Sequence, residues 1–243
     1  MLITGGGDGI GGGMVRSFSE AGATVFYCDI KEHGDPPPTA TFIRCDVQDR
    51  AAIAETVSTV ATASGGVIDV LCNNVGVVLE AGTPLHETSD DAWDTTLAIN
   101  LTSYFKFSQA CIPLMLAAGG GCIIQTASVQ GLQSMPGVCS YAASKGAISS
   151  LTRQMAVEYA SKGIRINSIC PGTIATPMAI TFAEDNGGSI ESDAKRDIPM
   201  QVRTHAQPTT RTVDAACRML HVSVPPAMKR LWCKTCILSM SIM

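Results

Sequence analysis

Tyr141 and Lys145 stand four residues apart in Ser140-Tyr141-Ala142-Ala143-Ser144-Lys145. On a helix that interval puts both side chains on one face. A phenol ionises near pH ~10, too high for a base at neutral pH. A neighbouring ammonium favours the phenolate and lowers that value. Such a pair can exchange a proton with an alcohol or carbonyl oxygen. A second constellation opens the chain: Thr4-Gly5-Gly6-Gly7-Asp8-Gly9-Ile10-Gly11. Glycines let the backbone turn sharply and approach a pyrophosphate, and a helix N-terminus favours its charge. Asp29 ends the apolar stretch Val25–Cys28, eighteen residues after Gly11. An acidic side chain there accepts hydrogen bonds from an adenosine ribose and repels a 2′-phosphate. Asp8 adds negative charge inside the turn, which holds no Lys or Arg. The cofactor these residues point to is NAD rather than NADP.

The elements that must position these groups read as short apolar strands alternating with helix-length segments. The strands are expected at Met1–Ile3, Thr24–Cys28, Thr41–Cys45, Val67–Cys72, Gly121–Thr126 and Arg165–Ile169. Helices are expected at Gly11–Ala21, Ala51–Ser64, Asp90–Ala118 in one or two pieces, and Ala142–Ser161. Apolar strands without alternation imply burial on both faces, as in a parallel sheet covered by helices. The expected fold class is therefore α/β, a doubly wound, Rossmann-like parallel sheet in three α/β/α layers and one domain. Pro36–Pro38 reads as a loop within it, because the alternation resumes directly afterwards.

Composition narrows the function classes. The 243 residues are 46% hydrophobic and 16% charged, a balance that argues against disorder. A net charge of -4 gives no basic field for nucleic acid. The apolar run Ala110–Ala118 is too short to span a bilayer and contains Pro113. Ten cysteines are present, but Cys28, Cys45, Cys72, Cys122 and Cys170 lie in or beside apolar runs, where a free thiol behaves as a small hydrophobe. With no signal-peptide pattern at the start, the expected location is cytoplasmic, with no nucleic-acid or membrane partner. Cys233-x-x-Cys236 lacks a second pair or adjacent histidine, so no metal site is expected. Trp93 reads as a packing residue.

At this point the chain strongly resembles the short-chain dehydrogenase/reductase family. The resemblance rests on ordered motifs: Thr4–Gly11, Asp46 after the third strand, Asn73-Asn74-Val75-Gly76 after the fourth, and Asn100 in a helix. Ser128 follows the fifth strand, thirteen residues before Tyr141, and Pro171-Gly172 with Thr176 follows the sixth. It implies an oxidoreductase moving a hydride between NAD(H) and a small-molecule secondary alcohol or ketone. Tyr141 would be the general acid/base. Lys145 would lower its pKa and hold the nicotinamide ribose, Ser128 would stabilise charge on the substrate oxygen, and Asn100 would anchor a relay water. Gly5, Gly9, Ile10, Gly11, Asp29, Asp46, Val47, Asn74, Ile174 and Thr176 would line the cofactor with Tyr141 and Lys145. A homodimer or homotetramer is implied as well.

Coverage is expected over residues 1–220, with 221–243 an atypical tail. Family members end on a strand entered through a Gly-Gln-like turn and closed by an Asp-Gly-Gly-like segment, and His221–Met243 contains neither. The usual last strand is therefore expected to be missing. A competing reading follows: a dinucleotide-binding or scaffold protein without turnover.

Overall fold

The computed structural model describes residues 1–185 and 187–189. The expected tail at 221–243, the domain boundary at 220 and the missing last strand lie outside the described residues.

Six strands form one sheet: β1 (Leu2–Thr4), β2 (Val25–Asp29), β3 (Ala40–Arg44), β4 (Val70–Asn73), β5 (Gly121–Thr126) and β6 (Ile164–Ile169). Their order is β3-β2-β1-β4-β5-β6, and every pairing is parallel. The chain reverses its direction of progress between β1 and β4, which leaves a crevice at their carboxyl ends. Alternation along the strands defines the layers. Leu2, Phe26, Cys28, Leu71 and Ile123 face one core, which is closed by α2 (Arg50–Ala63), α4 (Ser103–Ala117) and α5 (Cys139–Tyr159). Ile3, Val25, Tyr27, Cys72, Cys122 and Ile124 face the other, where Met14 and Val15 of α1 (Gly9–Glu20) pack. Each large apolar side chain so buried is worth roughly 1.5–3 kcal/mol.

The elements differ from expectation in instructive ways. β4 starts three residues later than its apolar run, because the Val67 amide still bonds the Ser64 carbonyl in the turn after α2. The long helical stretch breaks into α3 (Asp90–Leu97), a π-helical turn at Ala98–Thr102, and α4. α5 begins three residues before its expected start, so Tyr141 lies in its first turn. Trp93 is 38% exposed and is not a core residue. Cys28, Cys45, Cys72 and Cys122 are buried as expected, whereas Cys170 is only partly so.

Candidate active site

The glycine turn is shaped by contacts that exclude any side chain. Gly5 has φ +64°, and a Cβ there would lie 2.6 Å from the Val75 Cα. A Cβ on Gly11 would fall on the Gly5 carbonyl oxygen. The Gly5 and Gly6 amides both donate to the Cys28 carbonyl, at 2.9 and 3.2 Å. Asp8 caps α1 by accepting from the Gly9 amide at 2.6 Å. Gly9 (φ +55°) lies against Thr176, with its Cβ position 3.4 Å from the Thr176 Cγ2. Thr176 in turn accepts from the Ala179 amide at the start of α6 (Pro177–Asp185). Ile174 bonds it through a carbonyl 2.7 Å from the Thr176 amide.

Asp29 is held with both oxygens engaged: Oδ2 accepts from the Gly7 amide at 2.9 Å and Oδ1 from the Ile30 amide at 2.7 Å. Asp46 stays exposed beyond β3, accepting from the Gln48 amide, while Val47 beside it is buried. At the end of β4, the Thr4 hydroxyl accepts from the Asn74 and Val75 amides, at 3.0 and 3.3 Å. The Asn74 side chain donates to the Gly5 carbonyl and accepts from the Thr126 hydroxyl, each at 3.2 Å. Thus Thr4 and Asn74 tie the ends of β1, β4 and β5 together beside the glycine turn. This donor set fits a dinucleotide. The backbone is bare of Cβ atoms where a pyrophosphate would approach, and fixed carboxylates lie where a ribose would be read.

Across the crevice lie the titratable groups. Lys145 is 3% exposed and donates from Nζ to the Thr126 carbonyl at 2.8 Å. Nζ also lies 5.5 Å from the ring centres of both Tyr104 and Tyr141. Burial lowers its ammonium to about 7. Tyr141 is partly exposed, and the structure corrects the expected direction of its titration. Burial raises the phenol above its ordinary value, with the hydrogen bond to Ser128 pulling the other way. Desolvation opposes the charged form of either group, and it is the largest cause of both shifts. Ser128 is 7% exposed, and its Oγ also accepts from the Gln130 amide.

Asn100 sits in the π-helical turn, fully buried. Its Oδ1 accepts from the Val77 amide at 2.8 Å, and its Nδ2 donates to the Val77 carbonyl and the Ser144 hydroxyl. Both amide protons are used, so the side chain clamps the loop after β4. A water at Asn100 is left only acceptor oxygens. A Cβ on Gly76 would lie 3.5 Å from both Asn100 Oδ1 and Lys145 Nζ, which places both groups against that glycine.

Sequence reasoning missed two contributors. Tyr104 is fully buried and donates to the Val75 carbonyl, supporting the end of β4 from below. Glu80 is a buried carboxylate at the start of α5. Neither sits in a recognisable spacing, because each acts across dozens of residues. Among the described residues, no cluster of three or more His, Cys, Asp or Glu could hold a metal ion. None of their helices is long and apolar enough to cross a membrane.

The family model of the short chain dehydrogenases matches residues 1–187. The chain is 36% identical to the oxidoreductase UcpA of Salmonella typhimurium, over 82% of this chain and 80% of that protein. It is 40% identical to the meso-2,3-butanediol dehydrogenase of Serratia marcescens, over 73% and 72%. Among solved structures it resembles a 3-ketoacyl-(acyl-carrier-protein) reductase of Brucella melitensis complexed with NADH. That likeness has a TM-score of 0.71 at 25% identity and covers 75% of this chain and 80% of that one.

Proposed function

From the premise that this chain belongs to the short-chain dehydrogenase/reductase family, and is thus an oxidoreductase of CH–OH groups, we propose that it interconverts a small secondary alcohol and its ketone with NAD(H). The observation that carries the reading is the Tyr141 phenol, one helical turn from the buried Lys145 ammonium, whose Nζ lies 5.5 Å from its ring, with Ser128 among the groups that act on it. NAD, when bound, supplies the hydride acceptor, and the reduced form the donor. Gly5, Gly9, Ile10 and Gly11 would hold its pyrophosphate, Asp29 its adenosine ribose, Asp46 and Val47 its adenine. Asn74, Ile174, Thr176 and Lys145 would line the nicotinamide end.

The protein's own part is to place and move one proton. Because burial favours the neutral phenol, Tyr141 Oη is set to donate to a carbonyl oxygen as that oxygen gains charge. Ser128 Oγ donates to the same oxygen and stabilises that charge. Run in reverse, the phenol must lose its proton first, and a positive Lys145 at Nζ is the group that favours this. The similarity to a butanediol dehydrogenase supports small vicinal or secondary alcohols as the substrates to try. Cytoplasmic location and a homo-oligomeric state belong to the same proposal.

The test is turnover of the intact chain on a panel of secondary alcohols and ketones, beside Tyr141→Phe. Removing only the proton-transferring oxygen should lower kcat by on the order of 10²–10⁴, with cofactor affinity by fluorescence titration unchanged. A Phe variant with near-normal kcat would remove Tyr141 from the mechanism. Cofactor binding with no turnover on any of the panel would favour the scaffold reading.

A further inference from the structure

One buried carboxylate takes no part in the proton transfer. Glu80, in the loop after β4, is 3% exposed. Its Oε1 accepts from the Ser140 amide at 2.8 Å, from the Tyr141 amide at 3.0 Å, and from the Ser140 hydroxyl in a short contact. Oε2 is buried with no hydrogen-bond partner among the described residues, so one oxygen makes every contact. The first amides of a helix have no intrahelical acceptor. α1, α2 and α3 solve this locally, through Asp8, Asp49 and Ser89. At the start of α5, Val138 has no side chain that can cap. The cap comes instead from Glu80, 60 residues upstream of Ser140.

The same loop is fastened on both sides of that contact. Downstream, the Gly82 amide donates to the Gly137 carbonyl at 3.0 Å. These two glycines, with φ +77° and +75°, approach so closely that a Cβ on Gly137 would lie 2.5 Å from the Gly82 Cα. Upstream, Asn100 grips Val77 through both its amide and its carbonyl. The end of β4 and the first turn of α5 are thereby held in one register.

We propose that Glu80 is a positioning residue for proton transfer: by holding the backbone amide of Tyr141, it fixes where the phenol stands relative to the end of β4. This rests on the reading of Tyr141 given above. Helix ends fray, and a tyrosine in an uncapped first turn would wander. A misplacement of about 1 Å at a reacting group costs on the order of 10² in rate. A negative carboxylate at the positive end of α5 resists that fraying best, because charge-assisted bonds are roughly twice as strong as neutral ones.

Three variants of the whole chain test this: Glu80→Leu, Glu80→Gln and Ser140→Ala. Leu fills the space without accepting, Gln accepts without charge, and Ala removes one of the three donors. The expected result is a kcat loss on the order of 10² for Leu, of which Gln recovers about tenfold. The Ala variant should show a loss of a few fold. The KM for the alcohol and the affinity for NAD should stay within about twofold throughout. Exchange of the Tyr141 amide, followed by NMR, should be slow in the parent and the Gln variant, faster in Ala, and fastest in Leu. If the Leu variant does not fold, Ser140→Ala and Glu80→Gln decide by the same two readouts. The proposal is overturned if Tyr141 amide exchange does not change, if the loss appears in NAD affinity rather than kcat, or if Gln is no better than Leu. A parent without turnover would defeat the reading of Tyr141 as the acid/base, whereas amide exchange would still decide whether Glu80 holds that helix turn.

Discussion

Lys145 is the residue whose burial has the clearest thermodynamic consequence. No carboxylate among the described residues pairs with it, and its one hydrogen bond goes to the Thr126 carbonyl. Burial brings its value down from 10.5 to about 7. A lowered value in the folded state means that the unfolded chain binds more protons between those two values, so stability should rise with pH across that window. Below about pH 7 the ammonium is charged in both states, and its desolvation cost is present in full. Lys145→Met keeps the length and removes the charge, while the Tyr104 hydroxyl still reaches the Thr126 carbonyl at 3.3 Å. The variant should be more stable than the parent at pH 6, gaining about 2–4 °C in Tm per kcal/mol regained, and it should lose turnover. The advantage should shrink as pH rises above about 7. Thermal melts of both proteins from pH 6 to 10 check this; a Met variant less stable at pH 6 would show that Lys145 is not penalised by burial. That Tyr141 and Lys145 stand near each other was legible from a spacing of four. The raised phenol was not, because desolvation depends on what packs around the pair from other elements.

At the scale of elements, the glycine turn separates two kinds of glycine requirement. Gly11 needs no left-handed backbone, yet a Cβ there would meet the Gly5 carbonyl oxygen and the Asn74 side chain. The backbone of β1's turn must move to admit it. Gly22, closing the turn after α1, has φ +84° and nothing within 4 Å of its Cβ position. Gly22→Ala should therefore cost only the left-handed conformation, roughly 1–2 kcal/mol, with cofactor affinity unchanged. Gly11→Ala should cost more than that and abolish cofactor binding. Urea unfolding and fluorescence titration of the two variants give the comparison, and equal losses in both would show that the turn adapts. The motif was readable in the sequence because its residues, Thr4 to Gly11, lie within eight positions of one another, although the atoms they make room for include Val75 and Asn74. The cap of α5 was not, since a lone Glu80 in a loop carries no periodicity and acts on amides 60 residues away. The π-helical turn carrying Asn100 was hidden for the same reason: its side-chain amide is committed to Val77 in the loop after β4.

For the molecule as a whole, the alternation of apolar runs and helical segments pointed to a parallel, doubly wound sheet, and the six described strands bear it out in the order β3-β2-β1-β4-β5-β6. That order has an energetic corollary, because it gathers the ends of β1, β2, β3, β4 and β5 and the Thr176 turn around one crevice. A dinucleotide seated there would touch all of them at once, and none of that arrangement exists in the unfolded chain. Binding should then stabilise the entire fold, by about 2.7 kcal/mol at a hundredfold excess over Kd, a rise of roughly 5–10 °C in Tm at this chain length. The two oxygens of Asp29 are already fixed by the Gly7 and Ile30 amides. The carboxylate therefore cannot swing aside from a 2′-phosphate without breaking the brace on the glycine turn. NADP at the same concentration should accordingly shift Tm by far less than NAD. Asp29→Asn keeps one acceptor oxygen, enough for the Gly7 or the Ile30 amide but not both, while removing the charge, so it should narrow the difference between the two cofactors. Thermal melts of the parent and this variant with each cofactor make the test. Equal shifts from NAD and NADP in the parent would show that Asp29 does not select the cofactor.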